Sequence, residues 1–173
     1  MDYTISFLKN EDSDKIREFI NNEWKKDHIL ANSKELFEWQ YGNDNKTLNF
    51  VGIKIDNSIK GLLGFIPTSR YDINLTKKNT IWLALWKISE DIKVSGIGLK
   101  MLTFLKNEIE HVGIGVSGID SSLINLYKAL GYFTKELNHY YVVNKNIDLR
   151  LIKSDPNYIH PTLRTNGRTW KNL

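Results

Sequence analysis

The chain has 173 residues, of which 41% are hydrophobic, and a formal net charge of +4. This length suits one well-packed domain and is too short for two full ones. Cysteine is absent, which excludes a disulfide framework, a thiolate nucleophile and a cysteine metal site. No apolar run approaches the roughly 18 residues of a membrane span, and the acidic, polar start does not look like a signal peptide. We therefore expect a cytoplasmic protein without a membrane partner.

The basic excess is confined to one end of the chain. Residues 144–173 hold six Lys and Arg against two Asp, whereas the preceding residues are balanced in charge. A nucleic-acid-binding face needs basic residues gathered on one element of a domain. We therefore expect no nucleic acid partner, and we interpret residues 144–173 as a basic C-terminal tail or as the start of a further segment.

The first part of the sequence predicts a strand, two helices and a hairpin. Residues 3–8 alternate as a strand does, and Asp12 or Ser13 can cap a helix. Its apolar face is formed by Ile16, Phe19, Ile20 and Trp24. A second helix capped by Ser33 carries Leu36, Phe37, Gln40 and Tyr41. Residues 50–55 and 59–66 are two strands joined by a polar turn, which predicts an antiparallel hairpin.

The centre of the chain carries an apolar strand that runs into a glycine-containing turn. The nearly unbroken apolar run Thr80–Ile88 is typical of a strand that is covered on both faces. It is followed by Lys93-x-x-Gly96-x-Gly98 and then by apolar residues at largely helical spacing. Glycines allow close approach of the backbone to a ligand, and a helix N-terminus offers unpaired N–H groups to a pyrophosphate.

A second glycine pattern, Gly113-x-Gly115-x-x-Gly118, matches the dinucleotide-binding fingerprint. That fingerprint must follow a strand and open a helix, but the residues before Gly113 have the pattern of a helix. We therefore predict a strand over residues 112–119, with small residues where a ligand passes close. Ser121 or Ser122 then caps a helix whose apolar face holds Leu123, Leu126, Tyr127 and Leu130. Gly131 suits a left-handed helix end, and residues 132–137 and 139–143 predict two last strands.

The order of elements from Ile88 to Tyr132, with the glycine turn and the Leu126-Tyr127-x-x-Leu130-Gly131-Tyr132 sequence, resembles the acyl-CoA core of the GCN5-related N-acetyltransferase (GNAT) superfamily. The resemblance implies an α/β (α+β) fold with a mixed, mostly antiparallel twisted sheet of about seven strands and helices on both faces. It covers residues 1–143, which we expect to form the acyltransferase domain. Residues 144–173 lie outside it.

The resemblance also implies where acetyl-CoA binds as co-substrate. The implied binding residues are Ile88, Lys93, Val94, Ser95, Gly96, Ile97, Gly98 and Leu99. The family more often has Arg or Gln where this chain has Lys93. Tyr127 takes the place of the tyrosine that protonates the departing thiolate, and a backbone N–H near residues 86–88 would stabilise the oxyanion. The pantetheine arm is expected between two splayed parallel strands.

The general base and the acceptor site are less marked. The strand Thr80–Ile88 holds no Asp or Glu, which favours an amine of lowered pKa, such as a sugar amine that needs only a water chain to lose its proton. The remaining candidates for a base are Glu90, Asp91, His28, His111 and His139. Candidates for acceptor contacts are Trp24, His28, Trp39 and Trp86, with Phe37 and Tyr41 in the same aromatic cluster. Packing of these aromatic rings against the sheet is an equally open interpretation.

The leading hypothesis is an acetyl-CoA-dependent N-acetyltransferase that acts on a small primary amine by direct transfer in a ternary complex. A nucleotide-linked aminosugar is the preferred acceptor, because the aromatic cluster, the missing strand carboxylate and the balanced charge together favour a ring-bearing amine of lowered pKa. Residues 23–30 and 35–40 also resemble a branch of the family found among bacterial surface-polysaccharide proteins. Two alternatives stay open: a protein or peptide acetyltransferase, and a non-catalytic acyl-CoA-binding module. We expect no bound metal, and a homodimer is compatible with the sequence.

Overall fold

The computed structural model of the chain describes residues 2–43 and 46–136. The chain divides into two compact units at residues 132/133, and the elements below all lie in the first. The described residues 133–136 of the second unit have no regular secondary structure. The expected domain boundary after residue 143 lies outside the described residues and stays a prediction.

The first unit is built on a single sheet of five strands. The strands are β1 (Thr4–Lys9), β2 (Thr47–Ile55), β3 (Ser58–Pro67), β4 (Thr80–Ile88) and β5 (Gly113–Val116). They lie in sequence order across the sheet. Pairing is antiparallel from β1 to β4 and parallel between β4 and β5. The mixed, mostly antiparallel sheet expected from the sequence is therefore confirmed for these strands.

The described residues form five α-helices, four between strands and one after β5. They are α1 (Ser13–Phe19), α2 (Ile29–Asn32), α3 (Lys34–Tyr41), α4 (Ile97–Glu108) and α5 (Ile124–Ala129). A π-helical turn, Ile20–Trp24, extends α1, and short 3-10 turns occupy residues 10–12, 68–70, 73–78 and 121–123. Within the described ranges, none of the helices has the length and apolar character needed to cross a bilayer.

Helices cover both faces of the sheet and create two hydrophobic cores. The core on one face, the α1–α3 core, includes Leu8, Ile16, Phe37, Phe50, Leu62 and Leu85. The core on the other face, the α4 core, includes Val51, Leu63, Phe65, Leu83, Met101 and Leu105. Alternate residues of each strand enter different cores because successive side chains of a strand point to opposite faces.

A β-bulge interrupts this alternation in β4. Leu83 pairs with Phe65 and Leu85 pairs with Gly64, so that Ala84 is the extra residue. The bulge places Leu83 in the α4 core and Leu85 in the α1–α3 core, although the two are only two residues apart. The prediction that β4 is covered on both faces is wrong in part, because Trp82 and Ala84 are exposed.

Three other predictions need correction. The described residues form five strands and not about seven: residues 132–136 are not a strand, and residues 137–143 lie outside the described ranges. Strand β5 is shorter than the predicted residues 112–119. The last turn-and-helix segment is capped by Asp120, and not by Ser121 or Ser122, because the Asp120 carboxylate accepts the backbone N–H of Ser122 at 2.8 Å.

Candidate active site

The turn between β4 and α4 depends on a glycine. Gly96 has φ +73 and ψ 5, a left-handed conformation in which a side chain would be strained. It is the residue that caps α4, and no side chain caps the helix in its place. Lys93, Ser95 and Gly96 are exposed. The chain therefore enters α4 through a turn that is exposed to solvent.

The first turn of α4 leaves backbone donors free. Ile97 N–H donates to Val94 O at 3.3 Å, and Lys100 N–H donates to Gly96 O at 3.1 Å. Among the described residues, the N–H groups of Gly98 and Leu99 have no hydrogen-bond partner. Together with the positive end of the dipole of a 12-residue helix, these donors are groups of the kind that hold anions in proteins, and we call this part of the chain the α4 donor site.

Trp86 lies against this turn. A Cβ atom added at Gly98 would be 3.4 Å from Trp86 Nε1, which is ordinary van der Waals contact. The structure therefore places Trp86 beside the start of α4, and its expected contact with the acceptor stays a prediction. Ile88, Val94 and Ile97 pack in or against the α4 core and hold the turn on the sheet.

One edge of β4 is free beside this turn. The parallel pairing with β5 begins at Thr80 and Gly113 and ends at Leu83 and Val116. From Ala84 to Ile88, no described strand pairs with β4 on that side. A strand edge of this kind presents unpaired N–H and C=O groups to an extended ligand. The α4 donor site and the free edge of β4 thus adjoin one another.

Tyr127 is a buried residue of α5, with 4% of its surface exposed. Its ring packs edge-on against Tyr132 at 5.7 Å between centroids. Burial raises the pKa of the Tyr127 phenol above its ordinary value of 10, with a further contribution from Tyr132. The phenol therefore keeps its proton at neutral pH, as a proton donor must.

The structure divides the predicted aromatic cluster into core and surface residues. Phe37 and Tyr41 are fully buried and pack against Phe50, with centroid distances of 5.8 Å and 4.3 Å. Burial raises the pKa of Tyr41 to about 12. Trp24 and Trp39 are exposed at 41% and 62%. Phe37 and Tyr41 are therefore core residues, and the prediction of a joint aromatic pocket is wrong for them.

His28 pairs with Trp24, their ring centroids lying 4.6 Å apart. The Leu30 N–H donates to His28 Nδ1 at 3.2 Å, so that the imidazole caps α2. Burial and the nearby Lys25 lower the pKa of His28. Because Nδ1 accepts this bond, the neutral ring carries its proton on Nε2. His28 is therefore a hydrogen-bond donor toward a ligand and a poor general base.

An unusual backbone positions this pair. The π-helical turn ends at Trp24, and Asp27 adopts a positive φ of 58. Asn21 Oδ1 accepts the Asp27 N–H at 2.9 Å and holds that conformation. The sequence does not reveal the role of Asn21, because an Asn in a helical stretch gives no sign of this contact and a π turn has no distinct residue pattern.

The other candidate bases within the described residues each bond to a neighbouring group. Lys60 Nζ lies 2.5 Å from Asp91 and lowers the pKa of that carboxyl group, which makes it a weak base. Glu90 pairs with Lys87 at 3.4 Å. His111 Nδ1 lies 2.6 Å from Ile109 O and must donate to that carbonyl, which leaves Nε2 as its acceptor. His139 lies outside the described residues.

Concave surfaces also occur away from the turn. One, of about 360 Å³, lies between α1 and the β2–β3 turn and is lined by Lys15, Glu18 and Glu23 among others. Another, of about 640 Å³, includes Asn49, Arg70 and Tyr71. Residues 2–43 and 46–136 contain no group of three or more His, Asp or Glu side chains placed to hold a metal.

No family model matches the sequence, and no curated protein matches it. Solved structures do match the fold. An aminoglycoside acetyltransferase from an uncultured soil metagenomic sample has a TM-score of 0.62 and 13% identity, over 83% of this chain and 100% of that one. The chain has the GNAT fold.

Two further GNAT-fold structures extend the comparison. The aminoglycoside acetyltransferase AAC(6')-Iy, in complex with the bisubstrate analogue CoA-S-monomethyl-acetylneamine, has a TM-score of 0.58 and 12% identity, over 83% of this chain and 99% of that one. A ribosomal-protein-alanine N-acetyltransferase from Brucella melitensis biovar Abortus 2308 has a TM-score of 0.54 and 11% identity, over 83% of this chain and 100% of that one. The fold expected from the sequence is therefore confirmed at its core.

Proposed function

We propose that the protein is an acetyl-CoA-dependent N-acetyltransferase that acts on a small primary amine. The observation that carries this proposal is the adjacency of the free N–H groups of Gly98 and Leu99 to the unpaired edge of β4 from Ala84 to Ile88. The first suits a pyrophosphate, and the second suits an amide-containing extended arm. Acyl-CoA combines both groups in one molecule. One structural neighbour, the aminoglycoside acetyltransferase AAC(6')-Iy, was solved both with CoA and with a CoA conjugate.

The binding residues would divide the co-substrate between them. Gly98 and Leu99 would donate to the pyrophosphate, and exposed Lys93 would add a positive charge near the turn. Trp86, which lies beside Gly98, would hold the start of α4 in position. In this arrangement it would not bind the acceptor. The acyl arm would then run along β4 from Ile88 toward the bulge at Ala84.

The transfer is direct and needs no covalent enzyme intermediate. The neutral amine attacks the thioester carbonyl, and a backbone N–H of β4 near residues 86–88 donates to the oxygen that becomes negative. The C–S bond of the thioester then breaks, and the acetyl group stays on the acceptor nitrogen as an amide. The Tyr127 hydroxyl gives its proton to the departing thiolate, and the phenolate regains a proton from the solvent or from the amine. Water accepts the proton that the amine must first lose.

The preferred acceptor is a nucleotide-linked aminosugar of the kind used in surface-polysaccharide biosynthesis. Trp24 offers an exposed aromatic face, and His28 Nε2 offers a donor that stays neutral. An aromatic face with a neutral donor suits a hydroxylated ring better than a cationic chain. β4 carries no carboxylate, which favours an amine that deprotonates readily. The similarity to a ribosomal-protein-alanine N-acetyltransferase keeps a protein amine as the second candidate.

A panel of acceptors tests this proposal by the release of CoA thiol. We expect a nucleotide-linked aminosugar to exceed spermidine and a lysine peptide at least about tenfold in kcat/KM, because only the sugar uses the ring contacts. Trp24→Ala should lower the sugar's kcat/KM without changing acetyl-CoA affinity. Phe37 is fully buried, so Phe37→Leu is the control for a general loss of core packing. Preference for peptide amines, with the sugar inert, would contradict the acceptor assignment and favour the second candidate.

A further inference from the structure

Trp82 occupies an unusual position for a large aromatic side chain. It belongs to β4, where its neighbours are Ile66 of β3 on one side and Gly115 of β5 on the other. Side chains of inner strands are normally covered, but 45% of Trp82 is exposed. Neither the apolar run around Trp82 nor its spacing indicates this exposure in the sequence.

Gly115 makes room for the indole. A Cβ atom added at Gly115 would lie 3.0 Å from Cζ3 and 3.1 Å from Cε3 of Trp82, closer than most side-chain contacts in proteins. The ring therefore rests close to the backbone of β5, at a point where any side chain on residue 115 would push it aside by a few tenths of an ångström. At Gly113, two residues earlier in the same strand, an added Cβ would meet nothing within 4 Å.

The location of Trp82 relates it to the reaction centre. The residue directly precedes Leu83, the last residue of β4 that pairs with β5, and the free edge and bulge begin at Ala84. Its β3 neighbour, Ile66, packs against the α1–α3 core, so Trp82 faces away from α4. The π-helical turn that ends in Trp24 packs beside the same strand. An acyl arm that follows the free edge from the α4 turn would end beside Trp82.

The two faces of β4 differ in access. On one face Leu83 is buried beneath α4, whereas on the other face Trp82 is 45% exposed directly before the bulge. A nucleophile must therefore approach an acyl group at the bulge from the side of Trp82. A flat indole at that place can stack on the apolar face of a sugar ring and exclude water from the thioester.

We propose that Trp82, held in place by Gly115, is a specificity-determining residue that stacks on the ring of the acceptor amine. The proposal rests on the proposed acetyltransferase function and names the acceptor class as a ring-bearing amine. A linear amine has no face to stack on the indole and would gain little from it.

The two glycines of β5 supply a matched pair of variants. Gly115→Ala should displace the Trp82 ring and raise KM for a nucleotide-linked aminosugar at least about tenfold, or about 1.4 kcal/mol. Gly113→Ala should leave that KM within about twofold. Neither variant should change the Kd for acetyl-CoA more than about twofold, and circular dichroism checks the fold of each. Trp82→Ala should give a loss of similar size.

A double variant shows whether Gly115 acts through the indole. In Trp82→Ala the ring that the methyl group would displace is gone, so adding Gly115→Ala should cause no further rise in KM. Independent, additive effects would overturn the proposal. An equal loss for spermidine or a lysine peptide would also overturn it, because such a loss would not depend on an acceptor ring.

A binding measurement separates this proposal from the function on which it rests. The indole N–H resonance of Trp82, assigned with Trp82→Phe, should shift when the nucleotide-linked aminosugar is titrated into the wild-type protein with CoA present. A shift without acetyl transfer supports the stacking role and contradicts the enzymatic function. Transfer without a shift overturns the stacking role, and the absence of both overturns both.

Discussion

At the scale of single residues, Tyr127 combines burial with a retained proton. Its side chain is almost fully covered, and burial raises its pKa above 10, so it is neutral at the pH where an amine acceptor reacts. A neutral phenol can give a proton to a thiolate as that thiolate forms. Its partner Tyr132 also has a pKa raised by burial and offers the same chemical group 5.7 Å away, between ring centroids.

Replacing Tyr127 by Phe removes the proton and keeps the ring. We expect kcat to fall roughly 10- to 1000-fold, which is the range for loss of a single general acid, while KM for acetyl-CoA changes little. Tyr132→Phe is the matched control, since it preserves the edge-on ring pair, and it should reduce kcat less than about threefold. Equal rates for wild type and Tyr127→Phe would make Tyr127 a packing residue.

His28 is a titratable residue whose proton affinity differs between the folded and the unfolded chain. Its pKa is lowered by burial first and by Lys25 second, so the folded protein binds a proton less readily than the unfolded chain does. The contribution of His28 to the free energy of unfolding is thus fully present above its ordinary pKa of about 6.5. It is lost as the pH falls through the lower pKa that His28 has in the folded protein. Protonation at Nδ1 would also break the bond from Leu30 N–H that caps α2.

We expect KM for the acceptor to rise as pH falls below about 6.5, because the α2 cap opens beside Trp24. His28→Asn provides an acceptor for the Leu30 N–H that does not titrate, so this variant should lose the rise in KM. The measurement is the pH profile of KM for each protein, with acetyl-CoA saturating. An identical profile in wild type and His28→Asn would show that another group titrates.

At the scale of elements, Asn79 links three parts of the structure around β4. Its Oδ1 accepts the Ser69 N–H at 3.2 Å, and its Nδ2 donates to Glu110 O at 3.3 Å. The Asn79 backbone carbonyl accepts the Val112 N–H at 2.8 Å, directly before β5. The side chain is 5% exposed. This one residue fixes the start of β4 against the connection from α4 to β5.

Asn79→Ala should leave the Ser69 N–H and the Glu110 carbonyl without partners. The expected cost is about 1–3 kcal/mol in the free energy of unfolding, measured by urea denaturation. Acetyl-CoA affinity should fall as well, because the relative positions of β4 and β5 define the free strand edge. Asn74 is an exposed residue in the connection from β3 to β4. Asn74→Ala should change neither the free energy of unfolding nor the affinity for acetyl-CoA. Equal stability of the two variants would contradict this role of Asn79.

The elements around the turn were predictable because glycines and helical spacing leave a local signature. Gly96 requires a left-handed conformation, and the apolar positions of α4 recur with helical period, so the turn and helix were found from the residues alone. The bulge at Ala84 was not predictable, because Leu83 and Leu85 are equally apolar and give no sign that they enter different cores. The exposure of Trp82 and the separation of Phe37 and Tyr41 from Trp24 depend on the bulge and on helix packing, and not on local sequence.

At the scale of the whole molecule, the first unit combines a sheet that has a core on each face with a stretch of β4 that no described strand pairs on one side. The α1–α3 core fixes one face and the α4 core fixes the other, while the β4–β5 pairing stops at Leu83. Order of elements and sheet direction followed from the sequence, since each strand and helix has a distinct period. The strand predicted over residues 132–137 is not formed at residues 132–136, and the strand predicted over residues 139–143 lies outside the described residues.

The central claim is that the turn between β4 and α4 binds the pyrophosphate of acetyl-CoA, and isothermal titration calorimetry tests it most directly. Gly98→Asp would place a carboxylate at the free N–H groups, whereas Gly98→Ala adds a methyl group that only reaches ordinary contact with Trp86. We expect wild type and Gly98→Ala to bind acetyl-CoA with Kd values within about threefold of each other, and Gly98→Asp to bind more than about tenfold more weakly. Unchanged affinity in a folded Gly98→Asp protein, or no binding by the wild type, would contradict the claim.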